Sequence, residues 1–284
     1  KTGLYLTSEF SFPILTSEYD LLFYFEKSQL NLSWNAWWLD LPENLGIAPV
    51  TGAVQNIGFS EESDFYINYF KAAQKAGISI CVGDGAPDEK LELGTKAVGD
   101  LQAKAYFFLK PYPDEKLVQR IDFVRNHGLA IGIDIDAYNI VTMRNQAFLE
   151  RKTAGQIENL RKYAKLPFML KGIFTPEDVE LCKQVRPEII VVSNHGGRVD
   201  TLEGSSAEFL ARYGKELKNY AGEIWVDGGI RKTRDVQAAI NLGAKKCLVA
   251  RSWISHLVTG GTDKMAGEIT KLFSASVVSS HKAD

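Results

Sequence analysis

From residue 45 onward, short apolar runs alternate with longer amphipathic ones, and the pattern recurs eight times. Short runs with both faces apolar read as parallel strands, and the longer stretches of helical period read as the helices that cover them. The strands are expected at Leu45–Pro49, Ile78–Val82, Ala105–Leu109, Leu129–Ile133, Pro167–Leu170, Glu188–Val192, Glu223–Val226 and Lys246–Val249. The helices are expected near 62–76, 87–98, 114–127, 154–164, 175–185, 205–219, 232–242 and 263–273. Local signals support several boundaries. Thr175-Pro176-Glu177-Asp178 supplies an N-cap, a first-turn proline and early acids, while Gly77, Gly128 and Gly243 close helices. The pattern predicts an α/β fold, a (β/α)8 TIM barrel, whose chemistry sits on the rim where strands run out into helices. An open doubly wound sheet is the structural alternative.

Residues 1–44 lack the alternation and are rich in aromatics, among them Trp34, Trp37, Trp38 and Phe23-Tyr24-Phe25. They read as an arm or cap packed on the barrel, because so much exposed aromatic surface would aggregate. The barrel is expected over 45–273 and a fraying, serine-rich tail over 274–284.

A formal charge of −2 gives no global attraction to nucleic acid or to an anionic membrane, so any anion must be bound locally. No apolar run is long enough for a membrane span, and the start carries no signal-peptide pattern. Cys81, Cys182 and Cys247 lie far apart in or beside apolar segments and read as buried, reduced thiols. Together these features predict a cytoplasmic protein without a structural metal.

If the strand positions hold, the rim collects Pro49-Val50-Thr51, Gly83-Asp84-Gly85, Lys110-Pro111, Asp134, Asp136, Lys171, His195, Arg198, Asp227 to Arg231, and Ala250-Arg251. That is more charge than stability requires. Asp227-Gly228-Gly229-Ile230-Arg231 leaves backbone N–H groups bare enough to meet an anion, and Arg231 adds a fork of donors. Ala250-Arg251 follows the next strand, so the two segments form the phosphate position common to barrels. The bland reading is a tight turn beside a solvated arginine. His195 sits between a run of four apolar residues and two glycines once Ser193-Asn194 is passed, and projects into the mouth, where it can take a proton near neutral pH. Lys171 aims a cation at the same mouth, and Asp136 can orient His195 and stabilise its cationic form. His127, His256 and His281 read as structural.

Three ordered motifs carry a family resemblance: Leu170-Lys171-Gly172-Ile173, Ser193-Asn194-His195-Gly196-Gly197-Arg198-Val199-Asp200, and Val226-Asp227-Gly228-Gly229-Ile230-Arg231 with Asp235-Val236. With Leu242-Gly243-Ala244 and Ala250-Arg251 they resemble the FMN-dependent α-hydroxy acid oxidases and dehydrogenases, the glycolate and lactate oxidase type. The resemblance covers 45–273 and is strongest over 166–251. It implies FMN as cofactor, its N5 as hydride acceptor, a small anionic substrate and a homotetramer. It also implies that His195 is the catalytic base at the hydroxyl-bearing carbon, that Asp136 pairs with it, and that Arg198 holds the substrate carboxylate. Lys171 would stand beside the N1/O2 side of the flavin. Asp227, Gly228, Gly229, Arg231, Ala250 and Arg251 would hold ribityl and phosphate, and Ala48, Pro49 and Val50 would back the isoalloxazine. Gly83, Asp134, Ser193 and His195 complete the cofactor side.

The chain departs from the family mainly on the substrate side. Lys110 stands where a substrate-binding tyrosine is usual, Asp134 where threonine is common, and Gly83-Asp84 where two serines occur. Lys110 and a displaced Arg144 are therefore the candidate substrate-side cations beside Arg198. The family's N-terminal tyrosine has Tyr5, Tyr19 and Tyr24 as possible counterparts. Two alternatives stay open: an FMN barrel isomerase of the isopentenyl-diphosphate type, and a flavin-binding barrel without turnover.

Overall fold

The computed structural model describes residues 42–199 and 201–278, with side chains as far as residue 272. The aromatic arm expected over 1–44 lies outside the described residues except for 42–44, a turn that leads into the first strand. Asn44 joins that turn to the last strand, donating from Nδ2 to Lys245 O at 2.8 Å and accepting from Cys247 N at 2.8 Å.

Eight strands are present among the described residues: β1 Leu45–Ile47, β2 Cys81–Gly83, β3 Ala105–Leu109, β4 Gly128–Asp134, β5 Phe168–Ile173, β6 Ile189–Val192, β7 Glu223–Asp227 and β8 Lys246–Val249. All pair in parallel in the order β1-β8-β7-β6-β5-β4-β3-β2. The two ends of that sheet meet at a parallel bridge between Gly46 and Ser79, where Ile47 N donates to Ser79 O at 3.0 Å and Ser79 N to Leu45 O at 3.1 Å. The sheet is therefore a nearly closed barrel rather than an open doubly wound sheet. Gly46 permits this closure, since a Cβ there would lie 2.9 Å from Leu248 and 3.1 Å from Ser79.

The helices are α1 Ser63–Lys75, α2 Glu89–Asp100, α3 Asp114–Val124, α4 Ala154–Ala164, α5 Pro176–Val185, α6 Ser206–Leu217, α7 Thr233–Asn241 and α8 Arg251–Val278. Thr153, Thr175 and Ser205 start α4, α5 and α6 with capping boxes, each side chain accepting from the backbone N–H three residues on. The last helix departs most from its expected range. It begins at Arg251, directly after β8, and is broken at Gly260-Gly261, where φ is −161° and 73°. Its first turn forms because Trp253 N and Ile254 N both donate to Ala250 O at 3.0 Å. It also runs on to Val278, five residues into the segment read as a tail, since extending a formed helix adds a hydrogen bond for each residue fixed.

Strand period then decides what faces inward. Ala48, Cys81, Phe108, Ala130, Met169, Ile189, Val191, Trp225 and Leu248 form the cluster inside the barrel. The alternate positions, such as Val82, Phe107, Ile131, Leu170, Val192, Val226 and Val249, belong to the larger core between strands and helices. Two residues beyond the inward set on the same face, or four in the case of Asp134 after Ala130 and Gly132, come Val50, Gly83, Lys110, Asp134, Lys171, Ser193, Asp227 and Ala250. The barrel's top layer is therefore polar and charged where a purely structural barrel would carry branched apolar residues. Cys81, Cys182 and Cys247 are buried and unpaired, as read from the sequence.

Candidate active site

Lys110, Asp134, Lys171 and Asp227 are nearly fully buried at the strand tops. Strand register sets Asp134 directly against Lys171. Lys110 Nζ donates to Asp134 Oδ2 at 2.6 Å, and Lys171 Nζ lies 3.3 Å from Asp134 Oδ1 and 3.7 Å from Asp227 Oδ2. Burial alone would raise the Asp134 carboxyl, but Lys110, Lys171 and His195 outweigh it and hold it well below the usual carboxylate range. Burial also pulls against a charged Lys171, and Asp134, Asp227 and Asp136 more than offset this, so its ammonium is held well above its ordinary range.

His195 stands over this row. Its backbone is left-handed, φ 56°, as are Gly196 and Gly197 at 67° and 77°, so the chain turns sharply off β6 and presents the ring to the mouth. Ser193 Oγ accepts from His195 N at 3.1 Å, and Asn194 Oδ1 accepts from Gly196 N at 3.1 Å, which fixes the turn. Nδ1 lies 3.0 and 2.9 Å from the two oxygens of Asp136, while Nε2 is 3.3 Å from Lys110 Nζ and 3.8 Å from Asp134 Oδ2. Burial pushes His195 below its ordinary value. Asp136 opposes this, Lys171 and Lys110 add to it, and Asp134 opposes.

Gly172 makes room for the Asp136 carboxylate. At φ 91° its missing Cβ would fall 2.3 Å from Asp136 Cγ. Any side chain at 172 displaces the carboxylate that orients the imidazole.

The arginines form the other half of the rim. Arg251 packs on the Gly196 backbone, its Nη2 3.0 Å from where a Cβ would be. Burial, reinforced by Arg198 and by Arg231 and opposed by Asp227, pushes Arg251 down to about 10. Burial also lowers Arg198. Like charges are thus gathered on one side of the mouth, an arrangement that favours a bound anion. Asp235 holds the loop beside it, accepting from Arg231 N at 2.7 Å and Lys232 N at 2.8 Å. Asp227 Oδ1 is buried with no hydrogen-bond partner, an acceptor left for a hydroxyl. A Cβ at Gly228 would meet Ser206 Oγ at 3.0 Å, so the loop packs closely against the start of α6.

Ala48 is buried and Pro49 and Val50 partly exposed at the top of β1, and Gly83 lies against them, since a Cβ there would be 2.5 Å from Pro49 O. Arg144 stands apart from the cluster. It is exposed on the loop after β4, where it lines an open cavity of about 250 Å³ with Tyr138, Met143, Asn145, Ala147, Phe148 and Leu149. The same loop reaches Arg198 through its backbone, Val141 N donating to Arg198 O at 3.0 Å, with a bridge between Ile140 and Val199.

Asp134, Asp136 and His195 bring three possible metal ligands within 4.8 Å of one another. The Lys110 ammonium already stands between Asp134 Oδ2 and His195 Nε2, so a cation of the protein's own holds that position. The sequence places Asp84 on the rim without giving it a role. Buried beside Lys110, it accepts from Lys110 N at 3.2 Å and Gly85 N at 2.7 Å, and Arg120 approaches to 3.6 Å. Burial, only partly countered by Arg120, raises it to about 6. Its place at a strand end was the one available signal.

Comparison with known proteins agrees with this geometry. The FMN-dependent dehydrogenase family model matches residues 136–275, which include Asp136, Lys171, His195, Arg198, Asp227, Arg231 and Arg251. Over that segment the chain is similar to the FMN-dependent α-hydroxy acid oxidases and dehydrogenases. Among the proteins it resembles, 2-hydroxyacid oxidase of Dictyostelium discoideum is 40% identical over 112 residues, 39% of this chain and 28% of that protein. 2-Hydroxyacid oxidase 2 of Mus musculus is 27% identical over 226 residues, 68% of this chain and 63% of that protein. The chain thus spans less than two thirds of the length of either relative. A mandelate oxidase structure with (S)-2-phenylpropionate superposes with a TM-score of 0.64 at 25% identity, covering 83% of this chain and 73% of that one. The flavin-binding domain of baker's yeast flavocytochrome b2 shares the fold, with a TM-score of 0.65 at 20% identity over 84% of this chain and 64% of that one.

Proposed function

We propose that this protein is an FMN-dependent oxidoreductase that oxidises a 2-hydroxy acid or a related hydroxylated anion. The observation that carries the reading is the His195–Asp136 pair, 2.9 Å apart at its closest, on the same rim as the arginine cluster. An acid–base pair and an anion cradle facing one mouth suit a phosphorylated cofactor whose reactive part lies under an imidazole. A barrel isomerase has no evident use for that pair.

FMN, when bound, supplies the acceptor for two electrons. Arg231 and Arg251 would hold its phosphate with the N–H groups of Gly228 and Gly229. Asp227 would take a ribityl hydroxyl on its unpartnered oxygen, and Lys171 would neutralise charge on the ring. Ala48, Pro49, Val50, Gly83, Asp134, Ser193 and Ala250 would complete the bed at the strand tops. On the substrate, Arg198 would hold the carboxylate, with Lys110 as a further cation; Arg144, exposed on the loop after β4 and apart from the cluster, is not placed to join them. His195 Nε2 would take the proton of the substrate hydroxyl as the carbon that bears it gives up its hydrogen with two electrons, and Asp136 would stabilise the imidazolium that results. The catalytic unit is the barrel over 45–273, with 1–44 as an arm and the end of the chain as a tail.

A cytoplasmic location is supported by three buried, unpaired cysteines. No helix among the described residues is long and apolar enough to cross a membrane. A homotetramer is supported by the family resemblance.

Purified protein is expected to show oxidised-flavin absorption that bleaches when a short 2-hydroxy acid is added without oxygen. Flavin bands that persist against a panel of such acids would instead identify a barrel that binds flavin without turnover.

A further inference from the structure

Two of the departures from the family pattern touch each other. Lys110 replaces a tyrosine and Asp134 a threonine, and their side chains pair at 2.6 Å with both groups nearly fully buried. The same ammonium lies 3.3 Å from His195 Nε2.

Hydrogen-bond chemistry then fixes the imidazole. Ionised Asp136 can only accept, so Nδ1 facing it carries the proton. A lysine ammonium can only donate, so Nε2 facing it offers its lone pair. Both neighbours agree on one neutral tautomer. Nε2 is also the atom that must take the substrate's proton, and its single lone pair cannot serve Lys110 and substrate together.

Resting on the function proposed above, we propose that Lys110 is a positioning residue for the base: anchored by Asp134, its ammonium donates to His195 Nε2, sets the neutral Nδ1–H tautomer, and caps that nitrogen until substrate displaces it. The groups facing the ring are Asp136 and Asp134 from the end of β4, Lys110 from β3 and Lys171 from β5. Two are cations, and protonating Nε2 would set a third cation against Lys110. The cap therefore keeps the base neutral at lower pH than Asp136 alone would allow.

The test is a nitrogen NMR titration of the full chain labelled at histidine, with His195→Gln assigning the signal among the four histidines of the sequence. Wild-type His195 is expected as the Nδ1–H tautomer at neutral pH. Lys110→Met is expected to raise its protonation midpoint by about one pH unit, with the acid limb of flavin reduction moving equally, and Lys110→Arg to restore the wild-type value. An Nε2–H tautomer in the wild type overturns the proposal even if Lys110→Met fails to fold, and so does an unchanged midpoint in a folded Lys110→Met. Flavin content is read separately by absorption. A colourless protein with the expected tautomer and midpoint shift would refute the flavin reading while supporting the role of Lys110.

Discussion

Replacing His195 with glutamine is expected to slow flavin reduction by a 2-hydroxy acid about 10²–10⁴-fold while flavin binding stays close to wild type, because a positioned general base contributes on that scale. The split follows from the geometry. His195 meets Asp136 and Lys110, whereas Asp227, Arg231 and Arg251 stand at or just beyond the ends of the neighbouring strands β7 and β8. Asp136→Asn should lose a comparable factor with binding intact, since a neutral amide does not stabilise the imidazolium that forms when Nε2 takes the proton. Stopped-flow reduction without oxygen, alongside a flavin titration, measures both. A His195→Gln protein that binds flavin and reduces it at the wild-type rate would remove the imidazole from the chemistry.

Asp134→Asn is expected to cost about 3–5 kcal/mol of stability, because it leaves two buried ammonium groups without their shared counter-charge. The acid side of the stability profile should change with it. The Asp134 carboxyl is held below its ordinary value by Lys110, Lys171 and His195 against the opposing effect of burial, so its contribution is fully present above the unfolded-state value near about pH 4 and is lost as pH falls below that. The asparagine variant should therefore be destabilised at neutral pH and show less further loss on acidification. Thermal melts at pH 7 and in the acid range test this directly. A double variant with Lys110→Tyr and Asp134→Thr, the pair usual in the family, should recover most of the loss, since residues in one network are not additive. Equal melting temperatures for wild type and Asp134→Asn at neutral pH would show that the buried charges do not depend on one another.

The barrel could be read from sequence because its evidence is local. Ala105–Leu109 and Lys246–Val249 form strands as the apolar pattern predicts, and Thr175-Pro176 starts its helix with the cap that its residues spell out. Period two then places Lys110, Asp134, Lys171 and Asp227 on the inner face without any three-dimensional information. Other features depended on register between strands. Only the alignment of β4 with β5 shows that Asp134 opposes Lys171, and only the proximity of β3 shows that Lys110 reaches both Asp134 and His195. Lys110 read in isolation is an anion holder; in place it is first a partner of Asp134. Gly172 stood inside a recognised motif, yet its task of clearing space for Asp136 depends on a positive φ and a neighbour on another strand. The start of α8 was missed because Ala250, the residue before it, has no side chain that can cap, and its carbonyl nucleates the turn instead.

In the proposed function, the tops of β7 and β8 hold a flavin through its phosphate. Equilibrium binding of FMN and of riboflavin to the flavin-free full chain, followed by quenching of flavin fluorescence, tests it most directly. One hydrogen bond to a charged group contributes about 1.5–3 kcal/mol, so FMN should bind at least about tenfold more tightly than riboflavin, and Arg251→Ala should remove most of that preference. Equal affinities for the two flavins, or an Arg251→Ala protein that still prefers FMN as the wild type does, would contradict the account.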